Sequence, residues 1–202
     1  MNQNENWQSE FPFISQRMRM GAFDYHYVDE GSGPPILMVH GNPTWSFYWR
    51  HLISQFRDSH RTIAVDNIGC GRSDKPQNYD YSLATHVRNL VELIERLDLR
   101  DITLVGHDWG GAIGLGAAVS HPDRFSRFVM FNTAVNSILR ESQASAPRKV
   151  ALRGLNLFSL AALQMAVERP GELSDRFVEG VLAPYDSWAN RVAVHGFVKD
   201  IP

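Results

Sequence analysis

The segment VGHDWGGAIGLGAA (105–118) joins an apolar run to a small-residue helix through a turn in which Asp108 stands between Gly106 and Gly110. This is the Gly-x-nucleophile-x-Gly pattern of a strained strand-to-helix elbow, with Asp at the nucleophile position. A group raised on such a turn crowds its neighbours, so Gly106 and Gly110 remove contacts that side chains would make. Gly111, Ala112, Gly114 and Gly116 let the following helix press onto the sheet. A carboxylate presented in this way can attack an electrophilic carbon and form an alkyl ester, which an activated water must then hydrolyse. Asp66, by contrast, precedes NIGCGRSD and is expected to stabilise a turn.

These residues need a scaffold. PILMVH (35–40), RTIAVDN (61–67), DITLVGH (101–107) and RFVMFN (127–132) are short apolar runs without clean alternation, the pattern of strands buried on both faces. AFDYHYVDEG alternates, with Phe23, Tyr25 and Tyr27 on one face, and reads as a half-exposed strand. Between the runs, residues 82–98 carry Val87, Leu90, Val91, Ile94 and Leu97 on one apolar face behind a possible Ser82 N-cap. Alternating strands and helices imply right-handed crossovers and a parallel sheet, with ligands gathered beyond the carboxyl ends of the strands. GNPTWSFYWR follows PILMVH directly, where a loop can supply an oxyanion amide, with Gly41 and Asn42 as candidates. After about residue 134 the rhythm stops and the chain reads as a helical insertion. Phe47, Leu157, Phe158 and Trp188 are candidates to line an apolar pocket, although core packing is the default for such residues.

Taken together, HGNPTWSFYWR, GCGRSDKP, GHDWGG and FVKDIP make residues 22–202 resemble the haloalkane dehalogenase branch of the α/β-hydrolase superfamily. The resemblance implies an α/β-hydrolase fold: a mostly parallel sheet with flanking helices, its core within 1–134 and a partial helical cap within 135–202. It implies that Asp108 attacks the carbon bearing halogen while the side chains of Asn42 and Trp109 donate N–H groups to the departing halide. Amide and indole donors are neutral, so they can stabilise that charge without neutralising the nearby carboxylate. The β-lactone decarboxylases of bacterial olefin synthesis are similar, use the same Asp, Asn and Trp, and form the alternative reading. Epoxide hydrolases share the Asp elbow but typically carry an aromatic residue in place of Asn42 and need cap tyrosines, and after residue 133 this chain has only Tyr185.

The resemblance also implies a catalytic His after the last strand and an acid that orients it. The position after RFVMFN holds Asn132 and no carboxylate, so both are expected beyond Pro202 and the chain reads as C-terminally truncated. Standing alone it would be a non-catalytic fragment with an exposed sheet edge. Of the eight histidines, His40 and His107 flank the two loops and are expected to be scaffold, and His195 is a poor substitute base.

Composition narrows the partners. A chain of 202 residues with 44% hydrophobic and 11% aromatic residues can bury one domain-sized core. A net charge of -2 offers no basic stripe for nucleic acid and no polybasic segment for lipid. The single Cys70 excludes an intrachain disulfide, which with the polar start MNQNENWQSE points to the cytoplasm. The longest apolar stretch, LNLFSLAALQMAV (155–167), is too short to span a bilayer. No spacing suggests a metal or cofactor, leaving a small apolar substrate and water as expected partners.

Overall fold

Four of the apolar runs form the parallel centre of a six-stranded sheet in the computed structural model, which describes residues 6–133, 159–161 and 169–199. The strands are β1 (Ser15–Met20), β2 (Phe23–Glu30), β3 (Pro35–Val39), β4 (Arg61–Val65), β5 (Ile102–His107) and β6 (Phe125–Phe131). Their order across the sheet is β1-β2-β4-β3-β5-β6. β4, β3, β5 and β6 are mutually parallel, whereas β1 and β2 are antiparallel additions at one edge. The parallel strands place the loops after β3, β4 and β5 at one end of the sheet, where 41–49, 66–75 and 108–111 converge.

Successive side chains of a strand point to opposite faces, and the core divides accordingly. Leu37, Val39, Ile63, Val65, Ile102 and Leu104 feed one cluster, covered by helices α2 (Leu83–Arg96) and α3 (Trp109–Ser120). Ile36, Met38, Ala64 and Val105 feed the other, covered by α1 (Arg50–Phe56) and the aromatic run Trp45, Phe47 and Trp49. Helix α2 starts as its sequence requires, with the Ser82 hydroxyl accepting the Thr85 N–H at 3.3 Å. Leu90, Leu93 and Ile94 are buried beneath it while Val87, Val91 and Leu97 pack at the margin.

Two strand expectations need correction, and one strand was missed. β2 is not half exposed: Tyr25 and Tyr27 enter one cluster and Val28 the other, because a core cluster covers each face of the sheet at this strand. β1 itself was not foreseen, since SQRMRM buries only Met18 and Met20 and looks polar. β6 was expected to be buried, yet Phe128, Val129 and Phe131 are exposed, because it pairs with β5 alone among the described strands.

In the region expected to be helical, α4 (Asp175–Leu182) and α5 (Val192–Lys199) form as short helices, α4 behind Ser174, whose side chain accepts from Phe177 N–H. Both help close the clusters: Val181 joins the aromatic one, and Val192, Ala193 and Phe197 join the other. Most of 155–167, including Leu157 and Phe158, lies outside the described residues. Among the described residues no helix is long and apolar enough to cross a membrane, and no cluster of His, Cys, Asp or Glu could hold a metal ion.

Candidate active site

Asp108 directly follows β5 with φ 53° and ψ −127°, a backbone conformation rare for a residue with a side chain. Neighbouring contacts over-determine it, as such strain demands. The Asp108 N–H donates to the Phe131 carbonyl at 3.4 Å, and its carbonyl accepts the Gly111 N–H at 3.1 Å. Thr133 adds a third tie, its hydroxyl donating to the same carbonyl at 2.6 Å. Room for the turn comes from two glycines. A Cβ at Gly110 would collide with the Val39 carbonyl, and one at Gly41 would collide with the side chain of Asp108. Elbow and upstream loop are therefore packed backbone against backbone. Further along α3, Gly114 seats the helix on Leu104, where a Cβ would come within 2.7 Å of the leucine methyl.

The Asp108 carboxylate faces two backbone donors. The Trp109 N–H reaches its Oδ2 at 2.7 Å, and the Asn42 N–H also bonds to it. Burial nevertheless dominates and pushes the carboxyl up to about 6, against the opposing pull of those amides. An amide from the β3 loop and the amide after the nucleophile are the pair that an oxyanion hole requires. Here the Asp108 carboxylate occupies them.

The sequence-derived donors are brought to the same place. Asn42 Nδ2 donates to the Val194 carbonyl of α5 at 3.2 Å, and its buried Oδ1 has no hydrogen-bond partner among the described residues. The Trp109 indole is half-buried, its ring 5.2 Å from Phe197, so α5 touches both donors. His40 is scaffold, as expected. Its Nε2 accepts the Asn67 N–H at 2.9 Å, leaving Nδ1 to donate to the Gly41 carbonyl at 2.7 Å. Burial pulls its pKa down, which keeps the ring neutral. His107 stacks on Tyr48 with ring centres 4.8 Å apart.

Phe47 is packed in the core. It is fully buried between Trp45 and Phe177 and lies against Gly180, while the Trp45 indole donates to the Gly180 carbonyl at 2.9 Å. Trp188 is exposed. Tyr185 is buried and donates to the Thr44 carbonyl at 2.9 Å. Thr133 went unnoticed in the sequence, because it lies 25 residues from Asp108 with no motif linking them.

One sheet neighbour resembles the site superficially. Asp66, after β4, is also a buried carboxylate, but it accepts the Ser46 N–H at 2.7 Å, the Arg72 N–H at 2.8 Å and His26 Nδ1 at 2.8 Å. Burial alone would raise it, yet His26 and the Arg72 amide hold it at about 2. It is the turn stabiliser that the sequence suggested.

The parallel sheet, the strained elbow and the paired amides define a nucleophile-elbow protein, and comparison with known proteins agrees. Residues 34–167 match the family model described as alpha/beta hydrolase fold, and the chain belongs to that family, in its haloalkane dehalogenase-like branch. It is 42% identical over 202 residues to haloalkane dehalogenase 2 of Mycobacterium tuberculosis, covering 95% of this chain and 68% of that protein. It is 41% identical to a cis-3-alkyl-4-alkyloxetan-2-one decarboxylase of Shewanella oneidensis, covering 95% of this chain. The chain spans 64% of that decarboxylase's length. Among solved structures, the haloalkane dehalogenase DpaA of Paraglaciecola agarilytica superposes with a TM-score of 0.78 at 31% identity, over 96% of this chain and 67% of that one.

Proposed function

We propose that Asp108 is the nucleophile of an enzyme that acts on a small apolar haloalkane with water as co-reactant. Residues 1–134 carry the chemistry and 135–202 belong to a cap over it. The carrying observation is a carboxylate on a strained turn, aimed at two backbone amides. Its Oδ attacks the carbon bearing halogen, the C–O ester bond forms, and the halide leaves toward Asn42 and Trp109. An amide nitrogen has two N–H groups. One Asn42 N–H is anchored by the Val194 carbonyl, which orients the other for the leaving group. Water hydrolyses the ester and restores Asp108, while the two backbone amides stabilise the tetrahedral oxyanion. That second half needs a base. Among the described residues no histidine is hydrogen-bonded to Asp108, and we propose that a histidine brought against the ester supplies it.

A second reading is favoured by the relatives themselves, two of which, at 41% and 39% identity, are named cis-3-alkyl-4-alkyloxetan-2-one decarboxylases. The same carboxylate and donors would then open a four-membered lactone. Epoxide opening is less well supported, because the Tyr185 hydroxyl is engaged with Thr44.

The test offers the whole protein a series of bromoalkanes, an alkyl β-lactone and an epoxide, and measures bromide, alkene with carbon dioxide, and diol. Bromide release supports the first reading, while alkene without bromide transfers the function to the second. For the present chain, a reactive bromoalkane should add one alkyl group to Asp108, detected by mass. The rate should fall about tenfold per pH unit below pH 6, since only the ionised carboxylate attacks. Turnover that survives Asp108→Asn would refute the elbow assignment.

A further inference from the structure

Another set of chemistry-bearing residues lies at the antiparallel edge of the sheet. Ser15 opens β1, and its Oγ lies 3.0 Å from Nε2 of His26 on β2. The other nitrogen of that ring, Nδ1, lies 2.8 Å from Asp66 Oδ2; with Nδ1–H donating to that carboxylate, Nε2 is the nitrogen that faces the Ser15 hydroxyl. Nucleophile, base and orienting carboxylate are thus in sequence, each within hydrogen-bond reach of the next, the arrangement that activates a hydroxyl. The array is firmly built. His26 and Asp66 are fully buried, and the two backbone amides already on Asp66 fix the carboxylate. The backbone N–H of His26 is bound by the Ser73 hydroxyl at 2.8 Å. Ser15 itself is exposed, so a reagent in solution can reach it.

Arg72 completes the set. Its Nη1 donates to Ser15 Oγ at 2.8 Å, and its guanidinium is steadied by the Phe11 and Trp45 rings, 5.2 and 5.6 Å from their centroids. A fixed cation beside the attacking oxygen stands where negative charge would develop on an acyl or phosphonyl centre. Arg17, whose Nη1 donates to the Arg72 carbonyl, is exposed on the same edge and adds positive charge, and the exposed Ile14 adds an apolar contact. The dehalogenase-type reading of Asp108 uses none of these groups.

We propose that Ser15, His26, Asp66 and Arg72 form a second nucleophilic site, which takes up the acyl group of activated esters of short carboxylic acids. Ser15 Oγ attacks the carbonyl carbon and its proton passes to His26 Nε2. Arg72 faces the developing oxyanion, the C–O bond to the leaving group breaks, and His26 returns the proton to the departing alkoxide. Water then gives a proton to His26 as its oxygen bonds to the acyl carbon, the Ser15 Oγ–acyl bond breaks, and His26 returns the proton to Oγ as the acid leaves.

The experiment uses the Asp108→Asn chain, so its result is independent of the function proposed for the elbow. A fluorophosphonate probe, whose P–F bond breaks as the Ser15 O–P bond forms, is followed by intact mass and peptide mapping. The expected result is one equivalent on Ser15, lost in Ser15→Ala, slowed at least tenfold in Arg72→Met, and lost when the chain is unfolded in urea. Circular dichroism confirms that both variants are folded; Ser15 is exposed, so its truncation leaves the core intact. Absence of label on the folded chain, label retained by folded Ser15→Ala, or label that survives unfolding would each overturn the proposal. Absence would reduce the array to a structural latch between β1 and the loop after β4.

Discussion

Asp66 and Asp108 each stand one residue beyond the carboxyl end of a central parallel strand, with β3 between those strands, yet burial has opposite outcomes for them. Asp66 receives three donors, one of them an imidazole, and its carboxyl is held at about 2. Asp108 receives two backbone amides and, among the described residues, no side-chain donor, and burial drives it up to about 6. A buried carboxylate is inert when its lone pairs are satisfied and reactive when they are left partly unmet. Residue type and strand position are shared, so the imidazole partner is what separates the turn-stabilising carboxylate from the proposed nucleophile.

The largest break in that comparison should come from Asp66→Ala. It strands His26 and the Ser46 and Arg72 amides inside the protein, and the expected loss is about 3–5 kcal/mol in urea unfolding. Next is Asp108→Asn, which should work in the opposite direction. Removing a carboxylate that burial disfavours should stabilise the fold at pH 7 by at most about 3 kcal/mol, while abolishing alkylation.

Stability against pH then sharpens the contrast, because the two carboxylates titrate with opposite sign. The Asp66 contribution is complete above its unfolded value of about 4 and disappears as pH falls toward 2. For Asp108 the folded pKa is raised, so its contribution is present below about 4 and is lost as pH rises through 6. Urea midpoints of the parent and Asp108→Asn should therefore coincide near pH 3 and diverge by pH 7. A divergence independent of pH would show that the Asn effect is not electrostatic. The smallest effect is Thr133→Val, which removes one hydrogen bond to the Asp108 carbonyl and should cost about 1 kcal/mol in the same assay.

The parallel strands, α2 with its Ser82 cap and the elbow were all legible in the sequence, because apolar runs, helical spacing and paired glycines are local signals. β1 was not, since an edge strand burying two methionines carries no such signal. Without β1, the Ser15 partner of His26 was invisible as well. The Asn42 amide was foreseen from its place after β3. The Val194 carbonyl that holds its side chain lies 152 residues away, beyond any pattern read along the chain. Phe47 illustrates the same limit in reverse: an aromatic beside the catalytic loop suits a pocket or a core equally well until Gly180 is seen against it.

The tight approach of Gly110 to Val39 and of Gly41 to Asp108 bears on how such a site can change over time. Those two positions form a socket whose shape depends on the absence of side chains around residue 108, whereas the residue at 108 need only be small and nucleophilic. Exchange of the nucleophile is therefore a single substitution within an intact frame, while a change at either glycine discards the frame itself. A scaffold built in this way can be handed from one chemistry to another by altering the group it displays.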